Sequence, residues 1–202
     1  MKKVRYATGK LVNKYKLVLK DINDLNKKYE KAKNHLSSYG PHLAGRLDSE
    51  LQFTTLIEST SAFKKIVLCM QDYLTDLSKF HLLYPGHKDL DIIGCWINDM
   101  VRGEYNPPHT HHNMTGWSTV LFLKVPKFIN DAKDPHKFHD GQLGFTGVHG
   151  NVTEWMTPKV GDFYIFQASH QHFVMPFKTK TPKEIRRSMS FNFIIKEKSN
   201  VQ

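Results

Sequence analysis

Two hydrophobic periods divide the chain near residue 90. Ahead of it, Ile22, Leu25, Tyr29, Ala32 and Leu36 recur at the spacing of one helix face. Asp21 stands where an N-cap belongs, and Tyr39-Gly40-Pro41 is a stop signal. A second helix begins near Ser59 or Ser61 and carries Phe63, Ile66, Val67, Met70, Leu74 and Leu77 on one face. The segment Lys16–Lys20 is short and extended in character. Beyond Leu90 the period falls to that of strands. Ile92–Met100 places Trp96 and Asn98 on one face, and Gly103–Pro108 turns the chain. Trp117–Val125 is apolar enough for a central strand. Gln142–Phe145, Phe163–Phe166, Phe173–Phe177 and Ser188–Ile195 follow, separated by turn residues such as Asp140-Gly141 and Val160-Gly161-Asp162. Several short strands with turns between them predict a sandwich or barrel. The fold expected is mainly β with α, a jelly roll with N-terminal helices packed on one sheet. No repeat, low-complexity tract or linker divides it, so residues 1–202 read as one domain: 1–89 as α/β wrapping and 90–196 as the β core.

The polar positions on those strands carry the chemistry. Side chains at i and i+2 share a face. If Pro108–Asn113 is extended, His109 and His111 project together and His112 points away. Arg186, Ser188, Ser190 and Asn192 share one face of the last strand, with Met189, Phe191 and Phe193 on the other. Arg187 falls in line with the apolar set and is expected near a strand end, snorkelling outward. Three imidazoles, His109, His111 and a later one from the His170-Gln171-His172 run, suit a divalent first-row metal with open positions; ligand type alone does not name it. A carboxylate from Asp99, Glu104 or Asp140 is an alternative ligand. An inward Arg186 needs an anion, because a buried guanidinium without one is costly. Arg186 beside Ser188 offers a fork and a hydroxyl to the distal carboxylate of a small dicarboxylate.

The runs Tyr105–His111, Ser118–Pro126, Phe166–Phe177 and Arg186–Asn192 resemble, in order, the motifs of the 2-oxoglutarate/Fe(II)-dependent oxygenases. The likeness covers about residues 90–196 and is nearest to a branch of small bacterial and phage members with a Pro-His-x-His signature. It implies a double-stranded β-helix, iron held by His109, His111 and His172, and 2-oxoglutarate anchored by Arg186 and Ser188. His172 rather than His170 follows from the Val174-Met175-Pro176-Phe177 that trails it. Asn98 and Asn192 are implied as further cosubstrate contacts. Where most of the superfamily has His-x-Asp or His-x-Glu, this chain has His111. The resemblance implies an oxidoreductase, a dioxygenase and hydroxylase in kind, that couples decarboxylation of 2-oxoglutarate to succinate with oxidation of a C–H bond, using Fe(II) and O₂.

Composition narrows the partners less. A net charge of +10, from 29 Lys+Arg against 19 Asp+Glu, invites nucleic acid, yet the basic residues are dispersed and no nucleic-acid module is legible. No stretch has the length of a membrane span, and the start lacks a secretory pattern. The two cysteines make no disulfide framework, so a cytoplasmic location is expected. The rival classes are a non-catalytic or zinc-binding cupin-like jelly roll, in which Arg186 has no role, and a basic nucleic-acid-binding module. A protein side chain, a nucleobase and a small metabolite all remain as substrates, contacted by loops such as Lys127–Asp140 and His35–Phe53.

Overall fold

The computed structural model describes residues 3–7, 11–79, 89–129, 139–147 and 151–196. Among them, seven strands form one antiparallel sheet: β1 (Val4–Ala7), β2 (Leu11–Lys16), β3 (Ser49–Gln52), β4 (Leu90–Met100), β6 (Trp117–Lys124), β9 (Asp162–Gln167) and β11 (Arg186–Ile195). Their order is β1-β2-β9-β6-β11-β4-β3, with the apolar run β6 at the centre. Four more strands, β5 (Asn106–His109), β7 (Leu143–Thr146), β8 (Val152–Met156) and β10 (His172–Val174), form a second antiparallel sheet in the order β5-β10-β7-β8. The two sheets make the expected jelly roll.

Alternation along the central strands sorts residues between two cores. Leu121 and Leu123 of β6, Cys95 and Ile97 of β4, and Met189, Phe191 and Phe193 of β11 face outward from the roll. There they meet α1 (Leu19–Ala32), the short α2 (Thr54–Ile57) and α3 (Phe63–Lys79) through Ile22, Leu25, Tyr29, Ile66, Met70 and Tyr73. The opposite face of the same strands, with Val120, Phe122, Tyr164 and Phe166, packs against Leu143, Phe145 and Val174 of the second sheet. The helices therefore cover one sheet, and the space between the sheets holds this second core together with polar side chains such as Asn98, Arg186 and Ser188.

Several boundaries differ from the sequence expectation. The extended segment expected over Lys16–Lys20 lies earlier, at Leu11–Lys16, and Leu19 and Lys20 already belong to α1. Val18 takes the N-cap position, while Asp21 is buried inside the first turn and pairs with Lys65 at 2.5 Å. The helix ends at Ala32, before Leu36, because the backbone tightens into a 3₁₀ turn over Lys33–His35. The loop Lys127–Asp140 falls largely outside the described residues, as do His81, His87, His136 and His149. No helix among the described residues is long and apolar enough to cross a membrane.

Candidate metal centre and cosubstrate pocket

His109 ends β5, His172 begins β10, and the two are direct cross-strand partners. His111 lies two residues beyond the end of β5, and the chain turns after it through Asn113 (φ 48°) and Met114 (φ 66°). The His111 N–H donates to the Ala168 carbonyl at 2.9 Å, and its ring lies on Trp96, which in turn stacks on Tyr39. The side-chain placement of His112 is outside the described set.

The three Nε2 atoms converge. His109 to His111 is 3.1 Å and His111 to His172 is 3.1 Å. Nδ1 of His109 donates to the Pro107 carbonyl at 2.7 Å, and Nδ1 of His172 to the His170 carbonyl at 3.0 Å. A neutral imidazole carries one N–H, so in both rings Nε2 presents a lone pair toward His111. His111 has one proton to offer and cannot satisfy both neighbours. A divalent cation at the centre accepts all three lone pairs, and carbonyl-anchored Nδ1–H groups are the usual orienting partners of metal-bound histidines. Burial pushes the pKa of His109 down and that of His111 down to about 3, with His109 adding to the effect there; His172 too is held well below its ordinary value, first by burial. The rings are thus held in the neutral form that ligates metals. Among the described residues these three side chains are the only group of three with metal-ligand spacing. Two of the alternative carboxylates are occupied elsewhere: Asp99 accepts from Arg187, and Glu104 from the backbone N–H groups of Asp48 and Val101.

Beside the imidazoles, the pocket is walled by Asn98, Arg186, Ser188 and Ser190. Arg186 is 1% exposed. Its Nε donates to the Gly141 carbonyl at 3.2 Å, Nη1 points to the Met100 sulfur, and the guanidinium lies over Phe122. Nη2 is buried without a partner. Among the described residues no carboxylate compensates the charge, and burial lowers the pKa to about 9. Gly141 fits this corner because its φ of +65° and the Phe128 ring, 2.4 Å from where a Cβ would stand, leave no room for a side chain. Asn98 is the cross-strand partner of Ser188, and its Oδ1 is also buried and unpartnered. Asn192 lies on the Arg186 face near the other end of β11, close to Ser118 rather than on the pocket wall, with Oδ1 likewise unpartnered.

Arg187 corrects the sequence expectation. Instead of snorkelling outward it is fully buried under α1, forked onto Asp99 at 2.5 and 2.6 Å and paired with Glu30 at 2.8 Å. Glu50 and Asn106 line the pocket as well and were missed. Glu50 lies in the polar four-residue strand Ser49–Gln52, too short to show a period.

Residues 94–192 match the family model described as "Putative 2OG-Fe(II) oxygenase". No curated protein matches the sequence. Among solved structures, a prolyl-4-hydroxylase from Pseudomonas putida aligns at 15% identity over 92% of this chain and 93% of its own, with a TM-score of 0.61. A viral collagen prolyl hydroxylase from Paramecium Bursaria Chlorella virus-1, solved with 2-oxoglutarate, gives 14%, 90%, 94% and 0.59. A prolyl hydroxylase from Trichoplax adhaerens, in complex with a hypoxia inducible factor peptide fragment, gives 13%, 93%, 84% and 0.62.

Proposed function

We propose the following roles for a chain that belongs, through its residues 94–192, to the 2-oxoglutarate/Fe(II)-dependent oxygenase superfamily: His109, His111 and His172 hold the iron, and Arg186 with Ser188 holds the distal carboxylate of 2-oxoglutarate. The chain is an Fe(II)- and 2-oxoglutarate-dependent oxygenase, and its cosubstrates are 2-oxoglutarate and O₂. One observation carries the residue assignment. The unpartnered guanidinium nitrogen of Arg186 and the three converging Nε2 atoms border the same pocket.

When bound, iron and 2-oxoglutarate supply the oxidation of a substrate C–H bond, with succinate and CO₂ as co-products. The protein's part is orientation and electrostatics. Arg186 gives its free Nη2 to a carboxylate in a site dry enough to make that contact strong, and the Ser188 hydroxyl adds a second donor. Asn98, partnered in register with Ser188, turns its amide toward the same guest, and Asn192 holds the far end of the Arg186 face. Phe122 and Met100 keep water from the guanidinium. The stacked Tyr39, Trp96 and His111 rings fix the one ligand that no strand positions. The run Pro108-His109-Thr110-His111 supports reading the chain as one of the Pro-His-x-His branch of bacterial and phage members. Residues 1–202 act as one oxygenase domain, with 1–89 wrapping the core 90–196. Cys69 and Cys95, buried thiols outside any disulfide, support a cytoplasmic setting. The primary substrate is a protein side chain, a nucleobase or a small metabolite; the +10 charge is what keeps nucleic acid among them.

Anaerobic titration tests the assignment. A weak visible charge-transfer band is expected only when Fe(II) and 2-oxoglutarate are present together, at one equivalent of each. His111→Ala should abolish it. A band that survives in this variant would remove His111 from the ligand set, and a zinc-loaded protein indifferent to 2-oxoglutarate would turn the reading toward a cupin-like binding protein.

A further inference from the structure

Among the described residues, Glu50 is a buried carboxylate at the wall of this pocket with no side-chain hydrogen bond or ion pair. It is 4% exposed, its Oε1 makes no hydrogen bond, and on the edge strand β3 it stands directly opposite Asn98. Asn106 lines the same wall. A Cβ at Gly45 would come 2.7 Å from Glu50 Oε1 and 2.3 Å from Asn106 Oδ1. The two oxygens therefore converge on one small space beside a glycine backbone. With Asn98 Oδ1 unpartnered nearby, this end of the pocket is a wall of acceptors. Glu104 is near enough to repel Glu50, and it is held by the Asp48 and Val101 N–H groups, so it adds negative potential and no cation. Burial first, and Glu104 second, push the Glu50 carboxyl up to about 7. A carboxyl kept for structure alone would have its oxygens satisfied by neighbours. The one cationic side chain that lines the pocket among the described residues, Arg186, is committed to the cosubstrate.

We infer that Glu50, with Asn98 and Asn106, receives a protonated amine or guanidinium group of the primary substrate. This rests on the pocket being the reaction site proposed above, and it names the substrate class that site selects. Such a group brings several N–H donors and a positive charge, which together satisfy the orphaned acceptors and the uncompensated carboxylate. The chain as a whole carries +10, so its long-range field repels polycations. Recognition at Glu50 thus favours a single cationic group on an otherwise neutral or acidic molecule. Glu50 would be a specificity-determining residue. It has no part in holding iron or 2-oxoglutarate.

The test is a titration of the full chain, with and without Fe(II) and 2-oxoglutarate under anaerobic conditions, followed by chemical shifts. n-Butylammonium and methylguanidinium are compared with the neutral n-butanol and N-methylurea. Each cation should bind at least about tenfold tighter than its neutral counterpart, the size of one charge-assisted hydrogen bond. Glu50→Gln keeps shape and removes charge; it should erase the preference and leave 2-oxoglutarate affinity unchanged. Equal binding of cation and neutral probe in the wild type, which needs no variant, overturns the inference, as does a preference that survives in Glu50→Gln. Failure of 2-oxoglutarate to bind the wild type would instead overturn the cosubstrate assignment, because the acceptor wall is made of protein atoms alone and is read in the titration without it. Free L-lysine against acetyl-Ala-Lys-Ala amide then separates a small-molecule amine from a protein side chain.

Discussion

Arg186 and Arg187 are neighbours in sequence and opposites in surroundings. Both are almost fully buried. Arg187 faces the helices and is satisfied by the protein: it donates a fork to Asp99, pairs with Glu30, donates to the Asn26 amide oxygen at 3.1 Å and lies over the Tyr29 ring. Burial alone would lower its pKa, but Asp99 and Glu30 more than offset this and raise it. Arg186 faces the space between the sheets and has a carbonyl, a thioether and a phenyl ring, with no anion. One strand thus carries the same side chain twice, once as a finished structural contact and once as half of a contact. The difference teaches where to look for a guest: at the buried charge that the fold leaves uncompensated.

The sharpest way to break the comparison is to remove the finished contact. Arg187→Ala strands Asp99, whose side chain is 10% exposed, and should cost about 3–5 kcal/mol in denaturant unfolding. Fe(II) binding should persist wherever the variant is folded. Loss of metal binding without loss of stability would mean that the two faces are not separable.

Arg186→Ala should do the reverse. Truncating the buried partner of a carboxylate costs about 2–5 kcal/mol of binding, roughly 30-fold or more in 2-oxoglutarate affinity. Folding stability without cosubstrate should hold or rise, because a desolvated, uncompensated charge has been removed. Arg186→Lys should recover only part of the affinity, since an ammonium lacks the fork. Isothermal titration with 2-oxoglutarate and with pyruvate checks this: wild type should prefer 2-oxoglutarate, and Arg186→Ala should treat the two alike.

The contrast between the arginines was half legible in the sequence. The alternation Arg186, Ser188, Ser190 against Met189, Phe191, Phe193 is readable because the two faces of β11 differ in chemistry at every step. The fate of Arg187 was not, because its partners come from α1 and β4, far along the chain, and no local pattern announces a long-range ion pair. His109 and His111 converge, with β5 ending at His109 and the two left-handed residues, Asn113 and Met114, coming only after His111. Strands β1, β3 and β8, four or five residues long, went unread. Their pairing to β2, β4 and β7, more than their own periodicity, holds them extended.

Acid separates the faces further. His111 is held down to about 3, against an ordinary value of 6.5, so between these the unfolded chain binds the proton more readily than the folded one. Stability from this group is full above about pH 6.5 and declines as pH falls toward 3. Glu30, lowered from 4.5 to about 2 by Lys33 first and Lys124 next, stays ionised through the upper part of that window. Glu50, raised to about 7, works with the opposite sign there, so the useful measurement is a difference between proteins that share it. In metal-free protein, His111→Gln should remove about 2 kcal/mol of the stability lost between pH 6.5 and pH 5. Parallel pH profiles for wild type and variant would show that the imidazole does not set the acid limit.

The smallest effect lies at the solvent edge of the Arg187 cluster. Glu30 reaches Nη1 at 2.8 Å, but its side chain is 40% exposed and it also meets Lys33 and Lys124. Water screens such a pair and flexible lysines compete for it, so Glu30→Gln should cost only about 0.2–1 kcal/mol. The deficit should shrink as salt is raised, since the carboxylate lies within reach of the ionic atmosphere. Asp99→Asn takes away the buried carboxylate that receives the fork; it should cost several times as much and respond little to salt. Paired unfolding curves at low and high salt decide between two pictures of the outer face. Unequal costs with unequal salt dependence describe one buried fork with a solvated helper. Equal costs would describe a shared charge network, and the completeness of Arg187 would then rest on α1 as much as on β4.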